Sequence, residues 1–355
     1  MKFLNPFGSR EAGRQATSLK ARLVALIATA GMAAGLTLGS GSAAAQEIQL
    51  RWITGYPFTG PNATVMYGAR KFIEEFNKRA KGKANIRFIG GPEVVAPFDQ
   101  LKALQSGQFD MMSTSSQLFR DLQPMHFIHY LPAADQVATV KKGGREILQK
   151  VTREAAGVTF VMLISPGIPF YIWSQKPIAQ VADAKGVKVR GFPGVNEQLV
   201  SQLGMVTVSV PANDVFSSLR SGILNGAVRD VISVGLLGEA EFAPNHTEAR
   251  ICSCMAEVFI ANPVWDKLPK DLQALMIDVA VKQEADSFDY LSKRSAEAAK
   301  EVEKKFGAKM IKGSPELNDI VGRKIGGANM LAAIKDNKHR DEIMKTFGLV
   351  PYIKN

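Results

Sequence analysis

Three short valine-rich runs, Val187–Val189, Val206–Val210 and Ala227–Val231, constrain this chain more than any other feature. Each is bounded by Gly or Pro, and two helix-length segments, Val195–Leu203 and Asp214–Ile223, separate them. Short β-branched runs with such punctuation read as strands. Strand–helix–strand–helix–strand alternation favours a parallel sheet with helices on its faces. Ligands of such sheets bind beyond the carboxyl ends of the strands. Arg190 stands at the end of the first of these strands and Arg229 within the third. A guanidinium at a strand end can hold a carboxylate through two parallel hydrogen bonds. It can equally stay a solvated charge or pair with an acid, and Asp230 is the neighbour of Arg229.

The same rhythm continues on either side. Ile48–Ile53, Asn85–Ile89 and Phe109–Ser113 read as strands. Between the first two, Asn62 caps a helix from Ala63 to about Ala80, with Val65, Ala69, Phe72, Ile73 and Phe76 at helical spacing. A helix from Asp135 to Ala155 carries Gly143-Gly144, which weakens it. Val158–Ile164 is a strongly apolar strand, and Ser165-Pro166-Gly167-Ile168-Pro169 interrupts before strand character resumes at Phe170–Ser174. A second break lies near Met255, between the runs Arg250–Cys254 and Glu257–Ala261. Two chain crossings imply two α/β lobes with a cleft between them, a favoured place for ligands. From Lys270 to Phe306 there is neither Gly nor Pro. A single helix there, rising about 1.5 Å per residue, spans both lobes. The expected division is a leader over 1–45, a first lobe over 46–168 plus 256–292, and a second over 169–255 plus 293–355.

The leader has a basic region ending at Arg22, an apolar stretch Leu23–Leu38 and small residues up to Ala43-Ala44-Ala45. That order is the pattern of a secretory signal peptide, with cleavage expected after Ala45. Its five basic residues and one acid carry +4 of the formal net charge of +11, leaving +7 for the remainder. Those charges are dispersed without a basic run or an aromatic–basic ladder, so nucleic acid is not an expected partner. Export places Cys252 and Cys254 in an oxidising compartment, but a bridge between them would close a strained ring, so two buried thiols are expected. His126 and His129 share a helix face with no acid or cysteine beside them, and no metal is expected there. No nucleophile elbow, zinc-protease or phosphate-loop motif occurs, which disfavours an exported enzyme, and no cofactor is implied.

Four segments in order carry a family resemblance. Leu101-Lys102-Ala103-Leu104-Gln105-Ser106-Gly107-Gln108-Phe109-Asp110-Met111 is similar to an "ALxxGxxDM" step. Lys176-Pro177-Ile178 with Asp183 to Arg190 is similar to "PI…DLKGLKIR". Gly204 to Pro211 with Asp214 to Gly226 is similar to "G-x-x-P…EVYxALQxGxVDG", and Val264 to Pro269 to "xWdkLP". Together they resemble the solute-binding proteins of TRAP transporters, over nearly all of the chain after the leader. The resemblance implies the two-lobed periplasmic binding protein fold and a periplasmic receptor that closes over a small carboxylate-bearing solute. It implies delivery to a TRAP-type membrane permease, with a sensor kinase as the alternative partner. Arg190 matches the family's carboxylate-binding Arg. Where many members have an Asn in the site, this chain has Arg229. The expectation is therefore a second cation and a dicarboxylate, with Asp230 either touching the ligand or neutralising Arg229. Tyr56, Phe170 and Trp173 are the expected apolar walls, and Ser115, just past the third strand, an expected polar contact.

Overall fold

The computed structural model describes residues 46–60, 62–191, 193–253 and 256–353. The expected leader, 1–45, and Cys254 lie outside them. In chain order the strands are β1 (Ile48–Thr54), β2 (Ala84–Gly90), β3 (Met111–Thr114), β4 (Val158–Leu163), β5 (Pro169–Ser174) and β6 (Lys188–Arg190), followed by β7 (Val206–Thr207), β8 (Gly226–Asp230), β9 (Asn245–Thr247), β10 (Cys252–Ser253), β11 (Glu257–Ala261) and β12 (Lys309–Ile311). They form two sheets. The first has the order β2-β1-β3-β11-β4, and the second β12-β9-β5-β8-β6-β7 with β10 on β5. The chain crosses from the first sheet to the second between β4 and β5, and back between β10 and β11. Both crossings fall at the sequence breaks: Gly and Pro mark the first, Ser165 to Pro169, whereas the second, near Met255, has neither. This is the expected two-lobed α/β fold.

The inner part of the first sheet is core, while β1 and β2 carry exposed residues. Every residue of β4 and β11 is buried, because helices cover both faces. The helix Tyr67–Arg79 buries Ala69, Phe72 and Phe76, and Trp52 of β1 meets Phe72 at 5.8 Å between ring centroids. The expected start of this helix is only partly continuous: Asn62–Val65 forms a separate turn before it. In the second sheet the strand–helix–strand unit has its expected parallel register, with Lys188 opposite Val206 and Arg190 opposite Ala227. Only Val206–Thr207 of the expected second strand pairs, and β9 and β12 were not legible in the sequence. Each has only three residues, too few to establish a period.

The long helix runs from Lys270 to Phe306. Its first half packs on the helix Tyr67–Arg79 and on β4, and its second half on the helix Val231–Leu236 of the second lobe. A buried pair, Arg145 and Glu284 at 2.6 Å, fastens it to the first lobe. The helix expected over Asp135–Ala155 is broken: Gly143 has φ +105°, and helix resumes at Arg145. Gly144 sits there because a Cβ would meet Phe347 and the Thr139 carbonyl, each at 2.7 Å. The residues after Ile325, expected with the second lobe, bond to first-lobe segments. Phe347 stands edge-on to Phe127 at 4.8 Å, Lys150 pairs with Glu342 at 2.9 Å, and Glu154 with His339 at 2.9 Å.

Candidate binding site

Strand pleat decides which expected site residues share a surface. Alternate side chains on a strand point to opposite faces. Arg190 on β6 lies opposite Ala227 of β8, and Ala227 opposite Trp173 of β5. Two residues along β8, Arg229 lies opposite Tyr171. Arg190, Arg229, Tyr171 and Trp173 therefore belong to one face of the second sheet. Asp230 and Phe170 oppose each other on the other face. The expected grouping of all of these around one ligand thus divides into two sets.

Arg190 ends its strand partly exposed, and its Nε donates to the Val210 carbonyl at 3.4 Å. Burial, followed by repulsion from Arg229, brings its pKa down to about 10, while Tyr56 and Glu239 act in the opposite direction. It is still a cation at neutral pH. Tyr56 follows the carboxyl end of β1 in the first lobe, so this coupling joins the two lobes' strand ends at one place. Arg229 is only 7% exposed and is held in bidentate fashion by Glu239. Its Nε donates to Oε2 at 2.8 Å and its Nη2 to Oε1 at 2.5 Å. Burial opposes its charge, but Glu239 more than offsets this and raises its pKa.

The acid on Arg229 is thus Glu239, which the sequence did not single out. Asp230 acts elsewhere, for its Oδ1 accepts from the Ser233 backbone N–H at 2.8 Å and caps the helix Val231–Leu236. Its Oδ2 is buried without a hydrogen-bond partner among the described residues. After this helix, Gly238 takes a left-handed conformation, φ +73°, and returns the chain so that Glu239 meets Arg229. The available signal was the arginine itself: a charge inside a strand that is buried on both faces requires a nearby counter-charge.

The remaining expected residues are placed as follows. Trp173 is 1% exposed, donates its indole N–H to the Arg229 carbonyl at 3.1 Å and meets His246 at 4.6 Å between ring centroids, with the rings tilted by 43°. It forms a floor for β8 and also lines a cavity of about 670 Å³ with Tyr171, His246 and Lys300, beside the long helix. Phe170 is 2% exposed and pairs with Cys252 in the core. Burial pushes the Cys252 thiol up to about 12, so it is an inert core residue. Ser115 is buried at the carboxyl end of β3, and its carbonyl accepts from the Leu118 N–H at 3.1 Å.

One of the two histidines, His129, does have an acidic partner, supplied by a distant strand. His129 Nε2 lies 2.9 Å from Glu257 of β11 and 2.8 Å from Ser116 Oγ, with all three residues fully buried. His126 meets the Ser116 carbonyl at 2.9 Å. Among the described residues no cluster of three or more His, Cys, Asp or Glu could hold a metal ion, and no helix is long and apolar enough to cross a membrane.

Comparison with known proteins bears on this arrangement. The profile of the bacterial extracellular solute-binding proteins, family 7, matches residues 57–319. A monocarboxylate 2-oxoacid-binding periplasmic protein of Nostoc is 25% identical over 66% of this chain and 66% of its own length. A C4-dicarboxylate-binding periplasmic protein of Rhodobacter capsulatus is 24% identical over 68% of this chain and 73% of its own. Among solved structures, a TRAP transporter solute-binding protein of Bordetella bronchiseptica, with calcium and picolinate at its site, superposes with a TM-score of 0.74. It is 19% identical and covers 85% of this chain and 91% of that one.

Proposed function

The chain belongs to the bacterial extracellular solute-binding proteins of family 7, and from that premise we propose that it captures a small organic acid between its lobes, with Arg190 as the carboxylate anchor. The observation that carries this reading is the position of Arg190. It is a cation at the carboxyl end of a parallel strand, partly exposed, and coupled to Tyr56 of the opposite lobe. A carboxylate entering there gains a charge-assisted contact in a site from which closure excludes water. Contacts made only in the closed state shift the open–closed equilibrium, so binding and closure are one event. Tyr56 and Ser115, at the strand ends of the first lobe, are the groups that close onto the anchored acid. The solute is then handed to a TRAP-type permease. The basic and apolar leader supports export, with cleavage after Ala45 and work in the periplasm. Relatives and structural neighbours named for carboxylates support the same solute class.

The test is a thermal-shift panel of organic acids, followed by titration calorimetry of any acid that stabilises the protein. A ligand at a hundred times its Kd adds about 2.7 kcal/mol of stability. Arg190→Ala is expected to weaken the acid by about 2–5 kcal/mol, roughly 30-fold to several thousand-fold in Kd. Retained affinity in Arg190→Ala would refute the anchor.

A further inference from the structure

We infer that the site takes a solute with a single carboxylate, and that Glu239 is the residue that sets this number. The inference rests on Arg190 as the anchor and adds what the second arginine does. Two guanidinium groups, Arg190 and Arg229, stand on this face of the sheet, and Glu239 neutralises the second. The anchor's charge is then the one that a ligand carboxylate meets.

The geometry keeps Arg229 from serving a second carboxylate. Glu239 occupies both Nε and Nη2, at 2.8 and 2.5 Å. That is the fork-to-fork contact in which guanidinium and carboxylate bind most strongly. The pair is buried, with 7% of Arg229 and 2% of Glu239 exposed. A ligand carboxylate approaching the same edge would meet another anion where water screens little. Expelling Glu239 would leave its charge buried and unpaired. Asp230 adds a further negative charge from beneath the sheet and supplies no cation. Ancestry does not decide the matter, because one relative is named for monocarboxylates and another for C4-dicarboxylates. The dicarboxylate expected from the sequence counted Arg229 without its partner. Within the site, Glu239 holds Arg229 in place as a neutral unit and repels a second acid group.

The experiment measures Kd by calorimetry for matched acids differing by one carboxylate: propionate and succinate, lactate and malate, pyruvate and oxaloacetate, benzoate and phthalate. The proteins are the wild type, Arg190→Ala, Glu239→Gln and the double variant Arg229→Met with Glu239→Met. The wild type is expected to favour the monocarboxylate in the pair that binds best. Glu239→Gln, with Arg229 released from its counter-charge, is expected to move the mono-to-di ratio by about tenfold or more toward the diacid, the size of one charge-assisted hydrogen bond. The double variant removes the pair as a neutral unit and keeps the monocarboxylate preference. A purely structural role for Glu239 would instead weaken both acids alike in each variant. A wild type that binds the diacid as tightly, or a Glu239→Gln ratio equal to the wild type's, overturns the inference. If Glu239→Gln does not fold, the wild-type ratio and the double variant decide. Binding of acids through Arg190 without the ratio defeats this inference alone; no acid binding, or binding indifferent to Arg190→Ala, defeats the receptor reading as well.

Discussion

Replacing Arg145 by Ala tests how the long helix is fixed. Arg145 is 3% exposed and Glu284 1%. Arg145 Nη2 lies 2.6 Å from Glu284 Oε2, and its Nη1 donates to the Val161 carbonyl. Glu284 Oε1 accepts from the Leu163 backbone N–H at 2.9 Å. One pair therefore joins the helix Arg145–Ala156, β4 and the long helix. In Arg145→Ala the Glu284 carboxylate keeps a single N–H donor and no counter-charge. Breaking a buried pair from one side costs about 3–5 kcal/mol, and the lost contact of the guanidinium with Phe160, at 5.7 Å, adds to it. At about 2–4 °C per kcal/mol for a chain of this order of size, the melting temperature falls by roughly 6–20 °C. Replacing both partners, Arg145→Met with Glu284→Leu, removes the stranded charge and recovers most of the loss. The pH dependence has a definite sign. Burial, the largest effect, already raises the Glu284 pKa against the pull of Arg145. An acid with a raised folded-state pKa binds its proton more tightly in the native state, so stability rises as pH falls through that value. The deficit of Arg145→Ala is therefore larger at pH 7 than at pH 5. Calorimetry at both pH values reads it. A loss below about 1 kcal/mol, the scale of a surface pair, or a deficit that does not change with pH, would refute the reasoning.

Two further outcomes follow from packing and titration. A Cβ at Gly68 would stand 2.6 Å from the Ile164 carbonyl, where the helix Tyr67–Arg79 meets the chain after β4. Gly68→Ala should cost about 1–3 kcal/mol in urea unfolding, as overpacking does; a neutral effect would mean that these elements are not in close contact. Burial, then repulsion from His129, lowers the His126 pKa from 6.5 to about 3. A base lowered in this way contributes stability that is present above pH 6.5 and is lost as pH falls toward 3. Between pH 7 and 4.5 the wild type should lose up to about 2.5 kcal/mol from this group, and His126→Asn should flatten that part of the profile. An unchanged slope in the variant would assign the acid sensitivity elsewhere.

The sequence alone determined the features written in local pattern. Val-rich runs between Gly and Pro marked β6 and β8, and a stretch without Gly or Pro marked the helix Lys270–Phe306, end to end. The first chain crossing was legible because a Gly/Pro break punctuates it, the second because two strand-like runs meet near Met255, and Arg190 because it closes a strand of the parallel unit. Such signals survive because periodicity and backbone restrictions act over a few residues. The tertiary structure decided which charges meet. It placed Arg229 and Asp230 on opposite faces, gave Arg229 to Glu239, and gave His129 to Glu257 from a strand far along the chain. Neighbours in sequence point apart on a strand, and a buried charge takes whichever counter-charge the folded chain brings within reach, a fact fixed by packing and not by spacing.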